Sequence, residues 1–306
     1  MKSKIFFLLV GLSVLFTATI IAGCSNLVLF DPKGPVGDSE RFVIVVAIAL
    51  MLIVVIPVHI LTVWFTRKYK ASNIKATYAP KWSSSAMIDL VVWLVPVAIV
   101  MALGILAWNE THRLNPYTPI DRSAKAVAIE AVSLDWKWLF IYPDYRIATV
   151  NELVFPAKVP LSFRITSDTV MTSFFIPQLG SQMYAMAGMQ TRLHLMADEP
   201  GVYDGQNQQF SGRGFSTMHF HAIAVPREQF DAWVQKTKQS PQRLDLARFE
   251  ELAKPSIGHP VVHFSSVQPD LFDLTISKYR SMGMTPGDMS DKPGSGQEGG
   301  PFPEER

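Results

Sequence analysis

Side chains able to form covalent links or to bind metals are scarce in this sequence. Its 306 residues include a single cysteine, Cys24, so neither an intrachain disulfide nor a cluster of thiolate metal ligands can form. His219 and His221 stand one residue apart on a predicted strand and would face the same way, as in some Zn and Cu sites. Because no third ligand lies nearby in the sequence, we favour two partly exposed histidines over a metal site.

Asp89 is a carboxylate near the start of a long apolar stretch. It follows Ser83-Ser84-Ser85 and so falls in the first turn of the predicted helix, where a negative charge meets the positive end of the helix dipole. That interaction stabilises by about 0.3–1 kcal/mol, whereas a carboxylate buried in mid-membrane would cost roughly 2.5 kcal/mol or more. A place near the membrane interface therefore accounts for Asp89 in structural terms.

The first of three apolar stretches has the pattern of an export signal. Lys2 and Lys4 precede an apolar run from Ile5 to Ala22, and small residues follow. The ending Ile21-Ala22-Gly23-Cys24 resembles a bacterial lipobox, in which the cysteine is lipidated and becomes the first residue of the mature chain. The alternative is an ordinary first transmembrane helix with a chance cysteine. We predict a lipoprotein with a signal peptide over 1–23 and a lipidated periplasmic segment over 24–41.

Two further apolar stretches are long enough to cross a membrane. They run over 42–66 and 86–108, and both exceed the roughly 20 residues that a ~30 Å hydrocarbon layer requires. The loop between them is basic and has no acidic residue, so it is predicted to lie in the cytoplasm. Both ends of the mature chain then face the periplasm. We predict a transmembrane helix hairpin over 42–110 in the bacterial inner membrane.

The rest of the chain has the pattern of an exported all-β domain with a helical end. Short alternating runs predict strands over 127–132, 136–142, 161–166, 191–196 and 219–225, separated by Gly and Pro. Helical spacing follows over 227–238 and 244–253. The predicted units are a β domain over 111–225, a helical extension over 226–285 and a disordered tail over 286–306.

Several chemistries are excluded by what the sequence lacks. It contains no Gly-rich phosphate loop, no Ser-centred nucleophile elbow and no paired zinc motif. The net charge of +2 suggests no nucleic-acid partner. Composition and periodicity therefore describe an exported membrane protein with a β domain, and they leave its function open.

Longer sequence words resemble a known family. They are Asp31-Pro-Lys-Gly34, the aromatic run Asp135 to Pro143, Ser173-Phe-Phe-Ile-Pro-Gln-Leu-Gly180, Ala185 to Met189, and Tyr203 to Met218. Together they are similar to subunit II of haem–copper oxidases, and most of all to the ubiquinol oxidases of the cytochrome bo type, over residues 20 to 285. The resemblance implies a two-helix transmembrane hairpin plus an all-β cupredoxin-like sandwich with short C-terminal helices.

In the cytochrome c oxidase branch of the family that this sequence resembles, the corresponding domain holds a two-copper site. Its ligands there are a His before the Ser-Phe word and a Cys-x-Glu-x-Cys-x-x-x-His-x-x-Met loop. Only Met218 matches here, since the other positions are Thr172, Asn207, Gln209, Ser211 and Phe215. Because a lone thioether is a weak ligand, we predict that the site binds no copper and that this chain carries no cofactor.

The family resemblance suggests roles for the remaining features. It implies a non-redox subunit of a proton-translocating ubiquinol oxidase, with haem and copper in a partner subunit I, further small membrane subunits, and quinol as the substrate of the complex. Asp89 then marks a proton-uptake path, with the helix-start role as the alternative. For Trp136 and Trp138 we favour packing against subunit I over an electron relay, and His194 receives no role. The competing functions are a copper-bearing cytochrome c oxidase subunit and a stand-alone cupredoxin-like binding lipoprotein.

Overall fold

The computed structural model describes residues 28–77, 82–121 and 123–281. The predicted signal peptide, Cys24 and the tail over 286–306 lie outside these residues. The described residues form two compact units, one over Ser39–Asn115 and the other containing the β domain together with residues 28–38.

Two long apolar helices, α1 (Pro35–Lys68) and α2 (Ala86–Arg113), confirm the two predicted membrane-type helices. Both are long and apolar enough to cross a membrane. Each extends beyond its apolar stretch into polar residues, because hydropathy marks the lipid-exposed part of a helix rather than its hydrogen-bonded ends. Pro35 suits a first helical turn, where its missing N–H has no partner to lose. At the C-terminal end of α2, the Arg113 guanidinium pairs with the Glu110 carboxylate at 3.3 Å.

The β domain is a sandwich of two mixed sheets. The first has the strand order β11-β3-β2-β1-β5-β8 and the second β4-β10-β9-β6-β7. The strands are β1 (Val127–Leu134), β2 (Lys137–Tyr142), β3 (Ile147–Val150), β4 (Glu152–Pro156), β5 (Leu161–Ser167), β6 (Thr172–Ile176), β7 (Gly180–Ala185), β8 (Thr191–Leu195), β9 (Gly201–Gln206), β10 (His219–Val225) and β11 (Val262–Phe264). β1 pairs in parallel with β5, and β4 with β10, while the other pairs are antiparallel. The five predicted strands are present, with the difference that Trp136 lies outside β2.

Aromatic side chains fill the space between the two sheets. Trp138 and Phe140 from β2 meet Phe174 from β6 and Phe220 from β10, and all four are buried. The Trp138 and Phe174 rings meet edge to face with centroids 5.4 Å apart, and Phe174 stacks on Phe220 at 5.2 Å. Trp138 is thus a core residue of this domain, so the prediction that it packs against another subunit is wrong.

The C-terminal part of the chain contains the helices α3 (Arg227–Thr237), α4 (Leu246–Ala253) and α5 (Leu271–Ser281). Helix α3 packs into the core between the two sheets through Phe230 and Val234, whereas α4 and α5 cover the outer face of the first sheet. Phe249 from α4 and Phe272 from α5 join a second core with Leu139 and other outward-facing strand residues. Strand β2 is therefore buried on both faces. Arg164 of β5 fastens α5 to the sheet, since its guanidinium contacts Asp273 at 2.5 Å and Glu130 at 2.7 Å.

Candidate functional site

The loop that joins β9 to β10 carries five of the six positions singled out in the sequence. It runs from residue 207 to residue 218 and contains a short 3-10 turn over Phe215–Thr217. The sixth position, Thr172, begins the neighbouring strand β6. Because β6 and β9 are paired through Phe175 and Gln206, the start of the loop lies beside the start of β6.

Asn207 is the centre of a hydrogen-bond network that holds the loop. Its Oδ1 accepts bonds from the Ser173 backbone N–H at 2.9 Å, from the Ser173 hydroxyl at 3.3 Å and from the Gln209 N–H at 2.9 Å. Its Nδ2 donates to the Gln209 carbonyl at 2.8 Å, the Ser211 Oγ at 3.1 Å and the Met218 Sδ at 3.4 Å. Because Asn207 is buried, these bonds replace water at both ends of the amide.

The structure thus brings four of the six positions together and leaves two apart. The side chains of Asn207, Ser211 and Met218 and the backbone of Gln209 converge. The hydroxyl of Thr172 points instead to β1, where it donates to Ser133 Oγ at 2.7 Å. The Phe215 ring packs against Phe210, with centroids 5.7 Å apart.

Trp136 is a further part of the site that the sequence did not reveal. It lies in the turn between β1 and β2 with φ 62°, a backbone conformation that is rare for a bulky residue. Its indole N–H donates to the Ser211 carbonyl at 2.8 Å, and a Cβ on Gly214 would lie 2.4 Å from its ring. Trp136 and Trp138 are therefore not same-face residues of one strand, and the only sequence signal for this contact is Gly212-x-Gly214.

A buried lysine lies next to Trp136. The Lys137 ammonium donates to the Lys254 carbonyl at 2.8 Å and to the Asp135 carbonyl at 3.2 Å. Burial lowers the pKa of Lys137 to about 8, with partial compensation by the Asp135 charge. Lys137 therefore ties the end of α4 to the turn that carries Trp136.

Asp168 is the buried carboxylate on this side of the domain. It contacts the Lys278 ammonium of α5 at 3.0 Å, and its backbone N–H donates to the Ser133 carbonyl at 2.8 Å. Burial raises the pKa of Asp168, and the bond to Lys278 opposes that shift. The C-terminal helix is thus fixed close to the residues that support Thr172.

Comparison with known proteins identifies the family. Residues 144–225 match the model of the cytochrome c oxidase subunit II periplasmic domain, and residues 238–283 match the COX aromatic rich motif. The cytochrome bo(3) ubiquinol oxidase subunit 2 of Pseudomonas putida is 51% identical over 282 residues, which are 92% of this chain and 90% of that protein. The ubiquinol oxidase subunit 2 of Acetobacter aceti is 47% identical over 283 residues, 92% of each chain. The chain belongs to the ubiquinol oxidase subunit 2 family.

A solved structure is also similar to part of this chain. It is the periplasmic domain of subunit II of cytochrome oxidase from Bradyrhizobium japonicum, which is 23% identical, with a TM-score of 0.36. The match covers 37% of this chain and 94% of that one. The resemblance given by the sequence words is confirmed by the relatives, as is the cupredoxin-like fold class with its two preceding apolar helices.

The residues present in this loop do not fit a two-copper centre. Such a centre requires two bridging thiolates closed by imidazoles. The converging groups here are the amide of Asn207, the hydroxyl of Ser211 and the thioether of Met218, and the first two are weak ligands for copper. Asn207 already uses both ends of its amide in hydrogen bonds within the loop.

The paired histidines lie on the exposed face of β10. His221 Nδ1 is 3.3 Å from Asp204 Oδ1 on β9, and the His219 ring bonds the Ser216 carbonyl at 2.9 Å. In the described part of the chain, no three His, Cys, Asp or Glu side chains are grouped so that they could hold a metal ion. His194 is buried, with one ring nitrogen 2.9 Å from the Pro116 carbonyl and the other 3.2 Å from Ser162 Oγ.

Asp89 lies in the first turn of α2, as predicted, and is exposed. Its backbone N–H donates to the Ser85 carbonyl at 2.9 Å. Ser85 precedes the helix, but its side chain forms no cap bond. A carboxylate in this turn therefore interacts with the exposed N–H groups and the positive end of the dipole.

Proposed function

We propose that this chain is the non-redox subunit II of a proton-translocating ubiquinol:oxygen oxidoreductase in an aerobic respiratory chain. It supports assembly of the complex, and the haem and copper centres lie in the partner subunit I. The close relatives are ubiquinol oxidase subunits, and this similarity supports quinol as the electron donor of the complex.

The observation that carries the proposal is the network around Asn207. The loop that corresponds to the copper-ligand loop is held instead by hydrogen bonds of the Asn207 amide with the Ser211 hydroxyl and with the backbone N–H of Ser173 in β6. An amide saturated with hydrogen bonds has no redox chemistry, and it cannot relay electrons from a soluble carrier. Electrons therefore reach subunit I by another route, for which membrane-dissolved quinol is the available donor class.

The two apolar helices and the basic charge of the loop between them support a placement in the inner membrane. We place α1 and α2 across the inner membrane, with the basic loop after α1 in the cytoplasm and the sandwich in the periplasm. A lipid on Cys24 would add a second anchor on the periplasmic side. We further propose that Asp89, near the cytoplasmic surface, takes part in proton uptake into subunit I.

Co-purification tests this function most directly. A tagged chain expressed at native level should bring down an integral membrane protein with haem absorption bands, and the complex should consume oxygen with ubiquinol. Reduced cytochrome c should not support oxygen consumption by the same preparation. Recovery of the chain alone would favour a stand-alone binding lipoprotein, and turnover with cytochrome c would favour a copper-bearing subunit.

A further inference from the structure

The apolar part of α1 carries its hydrogen-bonding side chains on one narrow face. Apart from the Trp64 indole near the cytoplasmic end, the residues of 42–66 with such side chains are His59, Thr62 and Thr66. At about 100° per residue, positions i, i+3 and i+7 fall within an arc of about 60°. We call these three residues the polar stripe.

The hydrogen bonds of the polar stripe define what it offers to a neighbour. The Thr62 and Thr66 hydroxyls donate to carbonyls one turn earlier, to Val58 at 2.7 Å and to Thr62 at 2.6 Å. His59 Nδ1 lies 2.8 Å from the Val55 carbonyl, and because a carbonyl only accepts, Nδ1 carries the proton. In the neutral imidazole, Nε2 is then an acceptor, and the ring is exposed in the chain.

The depth of His59 excludes the polar membrane surface as its partner. Thr66 is seven positions after His59, a distance of about 10 Å along the helix. The side chain also leans toward the helix N-terminus, away from Arg67 and Lys68 at the cytoplasmic end. Hydrocarbon offers no hydrogen-bond donor, and polar residues within membrane helices face protein partners as a rule.

We propose that the polar stripe docks against a transmembrane helix of another subunit of the oxidase, which donates a hydrogen bond to His59 Nε2. The donor is a hydroxyl, amide or indole group that lies opposite His59. This inference rests on the proposed function, because it needs a partner within the membrane. It assigns one face of α1 to the interface and leaves the face of Leu61 outside it.

Site-specific photo-crosslinking in the intact complex tests the docking face. Thr62 and Leu61 are each replaced by p-benzoylphenylalanine in the full chain, since Leu61 lies about 130° around the helix from the stripe centre. The Thr62 probe should form an adduct with a membrane span of another subunit, and the Leu61 probe a weaker one or none. Adducts of the Thr62 probe with lipid alone, or with α2 of the same chain, would overturn the inference.

Substitution of His59 tests the hydrogen bond itself. His59→Leu keeps the helix apolar and should increase dissociation of the chain during detergent washing by about threefold to twentyfold, the range for one hydrogen bond between membrane helices. His59→Gln retains an acceptor and should hold as the wild type does. Equal retention of His59→Leu and wild type would refute the bond. If the wild type brings down no haem-bearing protein, the proposed function itself is wrong.

Discussion

Replacement of Asn207 by alanine tests whether its amide holds the loop. The variant removes six hydrogen bonds at once and leaves the buried Ser173 N–H without an acceptor. An orphaned buried N–H costs about 1–3 kcal/mol, and each lost bond to a partner that water can reach costs about 0.5–1.5 kcal/mol. Gln209 is half-buried, so water can reach it, and Met218 Sδ is a weak acceptor. We therefore expect Asn207→Ala to lose about 3 kcal/mol of stability, which is less than the sum of the upper limits for all six bonds.

Equilibrium denaturation of a soluble fragment from about His112 to Met284 measures this loss. The tryptophan fluorescence includes Trp136, whose indole bonds the loop at Ser211. A destabilisation of about 3 kcal/mol should lower the Tm by about 6–12 °C for a domain of this size.

The neighbouring Gln208 provides a matched control for Asn207→Ala. Its side chain is exposed, so Gln208→Ala should stay within about 0.5 kcal/mol of the wild type. If Asn207→Ala is as stable as Gln208→Ala, the network is not what fixes the loop, and our account of it is wrong.

Four further predictions concern the lipid anchor, the proposed role of Asp89, the buried lysine and the positions in register with copper ligands. Intact mass should show a mature chain that begins at Cys24 with added acyl mass, and Cys24→Ala should remain in the membrane because two helices anchor it. Asp89→Asn should slow turnover without loss of haem while Asp89→Glu keeps the rate; normal turnover of Asp89→Asn would leave only the helix-start role. Folding lowers the pKa of Lys137 from 10.5 to about 8. The free energy of unfolding of the wild type, relative to that of Lys137→Met, should therefore increase by roughly 3 kcal/mol as the pH rises from about 8 to 10.5. Denaturation of both proteins at these two pH values measures the increase. The unmodified fragment should take up no copper, whereas the joint change Thr172→His, Asn207→Cys, Gln209→Glu, Ser211→Cys and Phe215→His should bind two copper ions under reducing conditions; no copper uptake by the folded variant would mean that the register is wrong.

The strands that the sequence predicted are those with alternation or a clear aromatic run. In strand β10 the outward His219 and His221 alternate with the inward Phe220 and Ala222, which is the period-two signal of a half-exposed strand. β3 was missed because all four of its residues are buried, and no polar position marks a second face. Its outer side is covered by the C-terminal part of the chain, which a local pattern does not contain. β9 was missed because Gly201 and Gly205 make it read as a turn.

Part of the candidate site could be predicted from the local sequence, and part depends on contacts between residues that are far apart in the chain. The register of Asn207, Ser211 and Met218 was available from the spacing of a sequence word, and these side chains do converge. The contact of Trp136 with Ser211 joins residues 75 positions apart and depends on a left-handed backbone at Trp136. Neither feature has a periodic signal, so the sequence suggested a strand residue instead. Ser173 was missed because its part is played largely by a backbone N–H, which every residue has.

The Asn207 network gives a physical reason for the spacing that this loop shares with the copper-ligand loop of the cytochrome c oxidase branch. A metal ion fixes such a loop because ligands from several positions must reach one point. A buried amide imposes a similar demand, since Asn207 must reach Ser173, Ser211 and Met218 together to satisfy its oxygen and nitrogen. Insertion or deletion of one residue between 207 and 218 would leave part of this amide unpaired in the interior. Hydrogen-bond satisfaction alone is therefore sufficient to hold the loop at its length, and Asn207→Ala should relax that requirement.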